Sequence, residues 1–400
     1  MNDINYIIIL NIVFVIFSLI VFFSYKPSFI HLIVLWCWRL VIPITFDSQD
    51  IYFTAWFIGC CNLILLGLII GSKVKNRDTY MPSVNNSLDS GALKAAVIVS
   101  VLLIFYHYYI VGIPILSDSI EMSRFQQRGS GMLGIPSRFA AYFPIMLLIF
   151  CVISCVKGSF SPIDKKLLIA VSILLFIVKG DKTALISMIF ILIVCYRFSF
   201  DVINYKKIFP FLGVGGAMFF IYMFNSYGSL SDYTLSSYLI DRLSGISLEP
   251  VKILFSSVYF DPKLISSSAI INDLLYPIYQ ILGIPSVTLN TQLSHFIYNS
   301  ESWGFTVPVT PTIVAYINFE FGLFPGLFVC LMLGWFLSFV YHLPKKNHST
   351  FALTVLLSTE YFIYTGVGSG NMFYLIPNVL LVFTTFFALY ISINILRLKH

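Results

Sequence analysis

The chain has 400 residues, 58% of them apolar and only 10% charged, with a mean hydropathy of +0.90 and a formal net charge of +6. Soluble domains carry roughly 25% charged residues, so this deficit excludes water-soluble enzyme folds. A transmembrane β-barrel is excluded as well, because runs such as 4–23 and 51–70 are apolar on every face instead of alternating along short strands.

The pattern predicts an all-α polytopic membrane protein, a single integral membrane domain over 1–400 with about eleven transmembrane helices. The first apolar run, 4–23, has no basic stretch before it and no small-residue cleavage site after it, so it is expected to be a retained span. Further spans are expected at 29–46, 51–70, 93–113, 139–156, 167–179, 182–197, 208–224, 312–342, 350–366 and 372–396. The short pair 167–179 and 182–197, separated by Gly180-Asp181, reads equally as two tilted spans or as one helix broken at depth. All seven cysteines lie in apolar segments without metal-ligand spacing and read as packing residues.

If alternate loops face the cytoplasm, starting with the one after the first span, that side collects fifteen Lys and Arg and the other eight. The excess places the N-terminus outside and the C-terminus inside. The scatter of these charges over short loops is no footprint for nucleic acid. Two outer loops stand out by length. The medium one, 112–138, holds Asp118, Glu121, Arg124, Arg128 and Arg138 in a Gly- and Ser-rich run. The large one, 225–311, is punctuated by prolines and carries amphipathic stretches at 233–243 and 270–282, which are expected to fold as short helices on the membrane surface.

Arginines on the outer side oppose the topology rule, so another demand must place positive charge there. A guanidinium offers a planar fork of donors that grips phosphate bidentately, which suits a diphosphate held at a membrane surface. Arg124 and Arg128 are four apart and share one face of a helix, and Gly129, Gly131 and Gly134 would let backbone N–H groups approach the same anion. Arg138, Arg242 in the large loop, and Lys182 at the outer boundary complete the candidate diphosphate-binding set. Pairing of these residues with Asp118, Glu121, Asp181 and Asp241 is the competing reading. Within the spans, Arg39 and Glu360 are the charges that burial makes informative, either as a mutual pair or as functional groups.

The chain resembles the O-antigen polymerases, the oligosaccharide repeat-unit polymerases of bacterial polysaccharide assembly. The resemblance lies in Val178-Lys-Gly-Asp-Lys-Thr-Ala-Leu185 opening an apolar helix, in Thr310-Pro-Thr312 followed by Asn318-Phe-Glu-Phe-Gly322 and Gly326, and in the two arginine-bearing outer loops. It implies a membrane glycosyltransferase in the bacterial inner membrane with a periplasmic active face. Such an enzyme transfers a growing glycan from undecaprenyl diphosphate to a sugar hydroxyl of the next lipid-linked repeat unit, without metal or cofactor. It also implies membrane lipids and a chain-length regulator protein as partners. Cationic residues would hold the leaving diphosphate, and His295, Glu121 and Asp118 are the candidate catalytic bases for the attacking hydroxyl. Tyrosines of the large loop, Tyr276 among them, read either as sugar-stacking groups or as interfacial anchors.

Two alternatives stay open. A lipid-linked oligosaccharide flippase would match in length and hydropathy, and it predicts repeated halves with charges lining a central cavity. A different lipid-dependent sugar transferase would use Asp47 and Asp50 of the first outer loop, although Phe46-Asp-Ser-Gln-Asp50 also reads as a turn and a helix N-cap.

Overall fold

The computed structural model describes residues 2–26, 28–47, 50–73, 90–116, 134–157, 162–178, 188, 190–192, 194, 250–255, 268–284, 286–298, 309, 312–343 and 350–398. These form α-helices and no strand: α1 (Asn2–Ser24), α2 (Ile30–Asp47), α3 (Ile51–Ser72), α4 (Ser90–Val111), α5 (Ile135–Lys157), α6 (Pro162–Val178), α7 (Ala269–Ile281), α8 (Leu289–Tyr298), α9 (Thr312–Phe321), α10 (Leu323–His342), α11 (Thr350–Ser369) and α12 (Met372–Leu398), with a 3-10 turn at Pro114–Leu116. Among the described residues, seven helices are long and apolar enough to cross a membrane: α1, α3, α4, α5, α10, α11 and α12. This is the pattern of a polytopic all-α membrane protein. The apolar helices α2 and α6 are shorter, and most of 182–197 and all of 208–224 lie outside the described residues.

Several boundaries differ from those read off the sequence, α6 among them, which begins at Pro162 and not at 167, and one turn is as read. The stretch 312–342, about 46 Å as one helix and longer than the roughly 30 Å hydrocarbon core, is broken at Gly322. There φ is 78° and ψ 178°, a left-handed conformation that glycine adopts without a Cβ clash. The span expected from 139 begins at Ile135, because Gly134 (φ 55°) turns the chain and Pro136 has the fixed φ that favours a first helical turn. Arg138 therefore lies in a helix and not in the loop 112–138. Asp50 is indeed an N-cap: its side chain accepts from the Phe53 N–H at 3.0 Å and opens α3.

Small residues set the closest helix contact. On α3, Gly67 and Gly71 are four apart, and on α10 so are Gly334 and Ser338. A Cβ on Gly67 would collide with the Leu331 carbonyl, one on Gly71 with Ser338, and one on Gly334 with the Ile64 carbonyl. The backbones touch where lipid offers no hydrophobic drive for helices to associate, the usual role of small residues spaced by four. At that end of the contact the Tyr25 hydroxyl lies 2.6 Å from the Leu68 carbonyl and 2.6 Å from the Ser338 hydroxyl, and its ring meets Tyr341 edge-on. Away from these seams α1 exposes Ile9, Ile12, Ile16, Leu19 and Phe23, and α10 exposes Phe324, Phe328 and Phe339. Such surfaces suit hydrocarbon and not water.

The bundle has two distinct ends. At one, Lys94 of α4 pairs with Asp164 of α6 at 2.7 Å, and Gly91 of α4 sits against the Arg397 guanidinium of α12. At the other lie the first turns of α5 and α12 and the short helix α7. Along α12 the chain thus runs from the α5 and α7 end to the α4 and α6 end, in keeping with alternating spans.

Candidate functional site

α7 is amphipathic in an inverted sense. Ile271, Leu274, Ile278 and Ile281 form its exposed stripe, while Asp273, Tyr276, Pro277 and Gln280 share the opposite face, which turns toward the bundle. A helix of 13 residues, about 20 Å long, is too short to cross a bilayer. It is instead fastened at both ends. At its start, Ser268 donates to a Glu320 carboxylate oxygen, and the Ala269 N–H donates to the other at 3.0 Å. Glu320 of α9 thereby sets a negative charge on the positive end of the helix dipole. In the next turn Asp273, 1% exposed, accepts from the Tyr316 hydroxyl of α9 at 3.0 Å and from the Leu289 N–H that opens α8 at 3.3 Å.

At its other end α7 meets Arg138, only 4% exposed in the first turn of α5. The Arg138 Nε donates to Asn378 Oδ1 of α12, and Nη2 donates to Gln280 Oε1 of α7, both at 2.6 Å. Each amide is turned to present oxygen. The Asn378 Nδ2 donates to the Tyr374 carbonyl one turn earlier on its own helix, and the Gln280 Nε2 donates to the Tyr276 hydroxyl, both at 2.7 Å. These partners are neutral, and among the described residues no carboxylate lies within ion-pair distance of Arg138. A buried guanidinium is ordinarily compensated by a negative charge, since hydrogen bonds to amides orient it but leave the charge in place. Arg138 is buried, while Gln280, one of its two hydrogen-bond partners, is exposed.

The two titratable groups of α7 feel this burial. Desolvation lifts the Asp273 carboxyl from 3.8 to about 6, against the hydrogen bonds from Tyr316, Leu289 and Asn272, with the Glu320 charge adding to the rise. Desolvation likewise raises the Tyr276 phenol, as does its neighbour Tyr374, while the Arg138 charge pulls it down. At neutral pH the end of α7 nearest Arg138 therefore offers a phenol hydroxyl, two amides and one cation.

Of the residues singled out in the sequence, Arg138 is central to this cluster. His295 is half-buried in the last turn of α8. That helix is tied through Leu289 to Asp273, two turns of α7 away from Gln280. Asp118, Glu121, Arg124, Arg128, Lys182 and Arg242 lie outside the described residues. The structure adds Gln280, Asn378, Tyr374, Asp273 and Glu320, which the reading by charge passed over. Asn378 carried a signal, being an amide within an apolar span, where polar side chains bond between helices. Among the described residues no group of three or more His, Cys, Asp or Glu side chains is placed to hold a metal ion. Among the described residues Cys37, Cys60, Cys61, Cys151 and Cys330 form no disulfide and are buried in the packing.

The chain matches no protein-family model, and no curated protein or solved structure is significantly similar to it. Its chemistry therefore has to be argued from its own residues.

Proposed function

We propose that the protein is a glycosyltransferase of the bacterial inner membrane that polymerises undecaprenyl-diphosphate-linked oligosaccharide repeat units at the periplasmic face. The observation that carries this reading is the buried Arg138 guanidinium, held by two neutral amides and lacking a described carboxylate partner. A site with a preformed cation and no paired anion is suited to a ligand that brings its own negative charge, and a diphosphate matches the fork of a guanidinium. The position supports the same reading. Arg138 sits where the outer ends of two long apolar helices meet α7, whose apolar stripe would keep a lipid-borne diphosphate near the membrane boundary.

The transfer balances as follows. The hydroxyl oxygen of the incoming unit attacks the anomeric carbon of the growing glycan. The bond from that carbon to the diphosphate oxygen breaks, and undecaprenyl diphosphate departs with the electron pair. The hydroxyl proton passes to a base, for which His295, Glu121 and Asp118 remain the candidates, and then to solvent. Charge develops on the terminal phosphate oxygen that had been bonded to the anomeric carbon, where a guanidinium already desolvated and oriented needs little reorganisation and acts most strongly. Arg124, Arg128, Arg242 and Lys182 would extend the clamp.

Deleting the gene in its host tests this function. Repeat units should still be made and exported, so the surface lipid should carry one unit and the long-chain ladder should vanish. A surface lipid with no repeat unit at all would instead point to a transporter of the lipid-linked unit and contradict the polymerase.

A further inference from the structure

The side chains around Arg138 form a particular mixture of one cation, two amides and two phenol rings. Tyr276 of α7 and Tyr374 of α12 are both half-buried. Their ring centroids lie 5.5 Å apart with the planes inclined at 59°, a tilted pair and not a parallel stack. Each tyrosine precedes by four residues, one helical turn, an amide that holds the guanidinium: Tyr276 before Gln280, Tyr374 before Asn378. Each is also bonded to that amide, Tyr276 through its hydroxyl and Tyr374 through its carbonyl. Gln280 thus holds the Tyr276 ring as well as the charge, and the Tyr374 ring lies against the Tyr276 ring.

Aromatic faces beside amide groups are the chemistry that recognises a pyranose, whose C–H face packs on a ring and whose hydroxyls exchange hydrogen bonds with amides. In a glycosyl diphosphate the first sugar is one oxygen atom away from phosphorus, so whatever binds it must adjoin the cation. We propose that Tyr276 and Tyr374 form the subsite for the sugar ring bonded directly to the diphosphate. This rests on the reading that Arg138 takes a lipid-linked diphosphate. Tyr276 and Tyr374 are then specificity-determining residues: they distinguish a loaded lipid carrier from the bare carrier released after transfer, and the loss of the sugar contact favours product departure.

The test uses the full-length protein in lipid nanodiscs and two probes, undecaprenyl diphosphate and the same lipid bearing a single N-acetylhexosamine. Wild-type protein should bind the glycosylated probe about 3- to 10-fold more tightly, the range expected for one good aromatic contact. Tyr276→Leu and Tyr374→Leu should lose that difference while keeping the affinity for the bare lipid, which also shows that they are folded. Tyr276→Phe, which retains the ring, should keep most of it. Arg138→Gln should weaken both probes alike. Leucine variants that still prefer the sugar as wild type does would overturn the subsite alone. Wild-type protein that binds neither probe would overturn the diphosphate reading, and the subsite with it.

Discussion

Arg138 is buried against two neutral amides, and whether it binds a ligand or only braces the helices can be decided at its partners. If the residue only braced α5 against α7 and α12, giving it a carboxylate would do no harm. Asn378→Asp would place an anion at the Oδ1 position that now accepts from Nε at 2.6 Å, stabilising the fold while neutralising the guanidinium. The expected outcome is an unchanged or raised melting temperature with polymer formation reduced about tenfold or more. Retention of full activity would mark Arg138 as a brace. Arg138→Lys should fall about a hundredfold, as losses of single oriented donors do at charge-stabilising sites, because an ammonium cannot form the bidentate fork.

Asp273 makes a second prediction at this scale. Its folded pKa of about 6 lies above its ordinary 3.8, so the folded state holds the proton more tightly than the unfolded state. Stability should therefore fall as pH rises from about 4 through 6, by an amount on the order of 3 kcal/mol for a shift of this size, and should change little from this group above that window. Thermal unfolding in detergent from pH 4 to 7.5 should show this slope in wild type and a flatter one in Asp273→Asn. An identical slope in both would remove Asp273 as its source.

Among the elements, α7 shows how much was legible. Its amphipathicity and approximate bounds, 270–282, were visible because apolar residues recur at helical spacing in Ile271, Leu274 and Ile278. Its attachments were not, since they depend on residues distant in the chain, Glu320 and Arg138, which only the folded backbone brings to its two ends. The break at Gly322 was masked for a different reason: Phe319, Phe321, Leu323 and Phe324 keep hydropathy high across it, and only the excess length of the run hinted at two helices. The α3 and α10 seam was also silent, because glycines four apart become a motif once their partner helix is known. Gly334→Ala should lower stability by about 1–3 kcal/mol, since the Ile64 carbonyl and the Gly67 Cα that its Cβ would meet are backbone and cannot turn aside. Gly59→Ala, where a Cβ meets nothing within 4 Å, is the matched control and should be neutral or slightly stabilising. Equal melting temperatures for the two would contradict the close-packed seam.

At the scale of the whole molecule, composition and hydropathy make the membrane class plain, and in the orientation proposed from the positive-inside asymmetry the Arg138 and α7 end would face outward. Charge alone drew attention to Arg138, because a cation where the topology rule expects few needs a reason. It could not show that Arg138 would be buried, which follows from Gly134 and Pro136 starting α5 a turn early. The proposed function is that this end of the bundle joins lipid-linked glycans and does not merely move or bind them. Its most direct test is to supply purified full-length protein, in detergent with EDTA present, with authentic lipid-linked repeat units and to resolve the products by chain length. A ladder of lengthened glycans is expected, with free undecaprenyl diphosphate in step with it, and both should fall about a hundredfold with the Arg138→Lys protein. Repeat units that stay single in the presence of folded wild-type protein would contradict it.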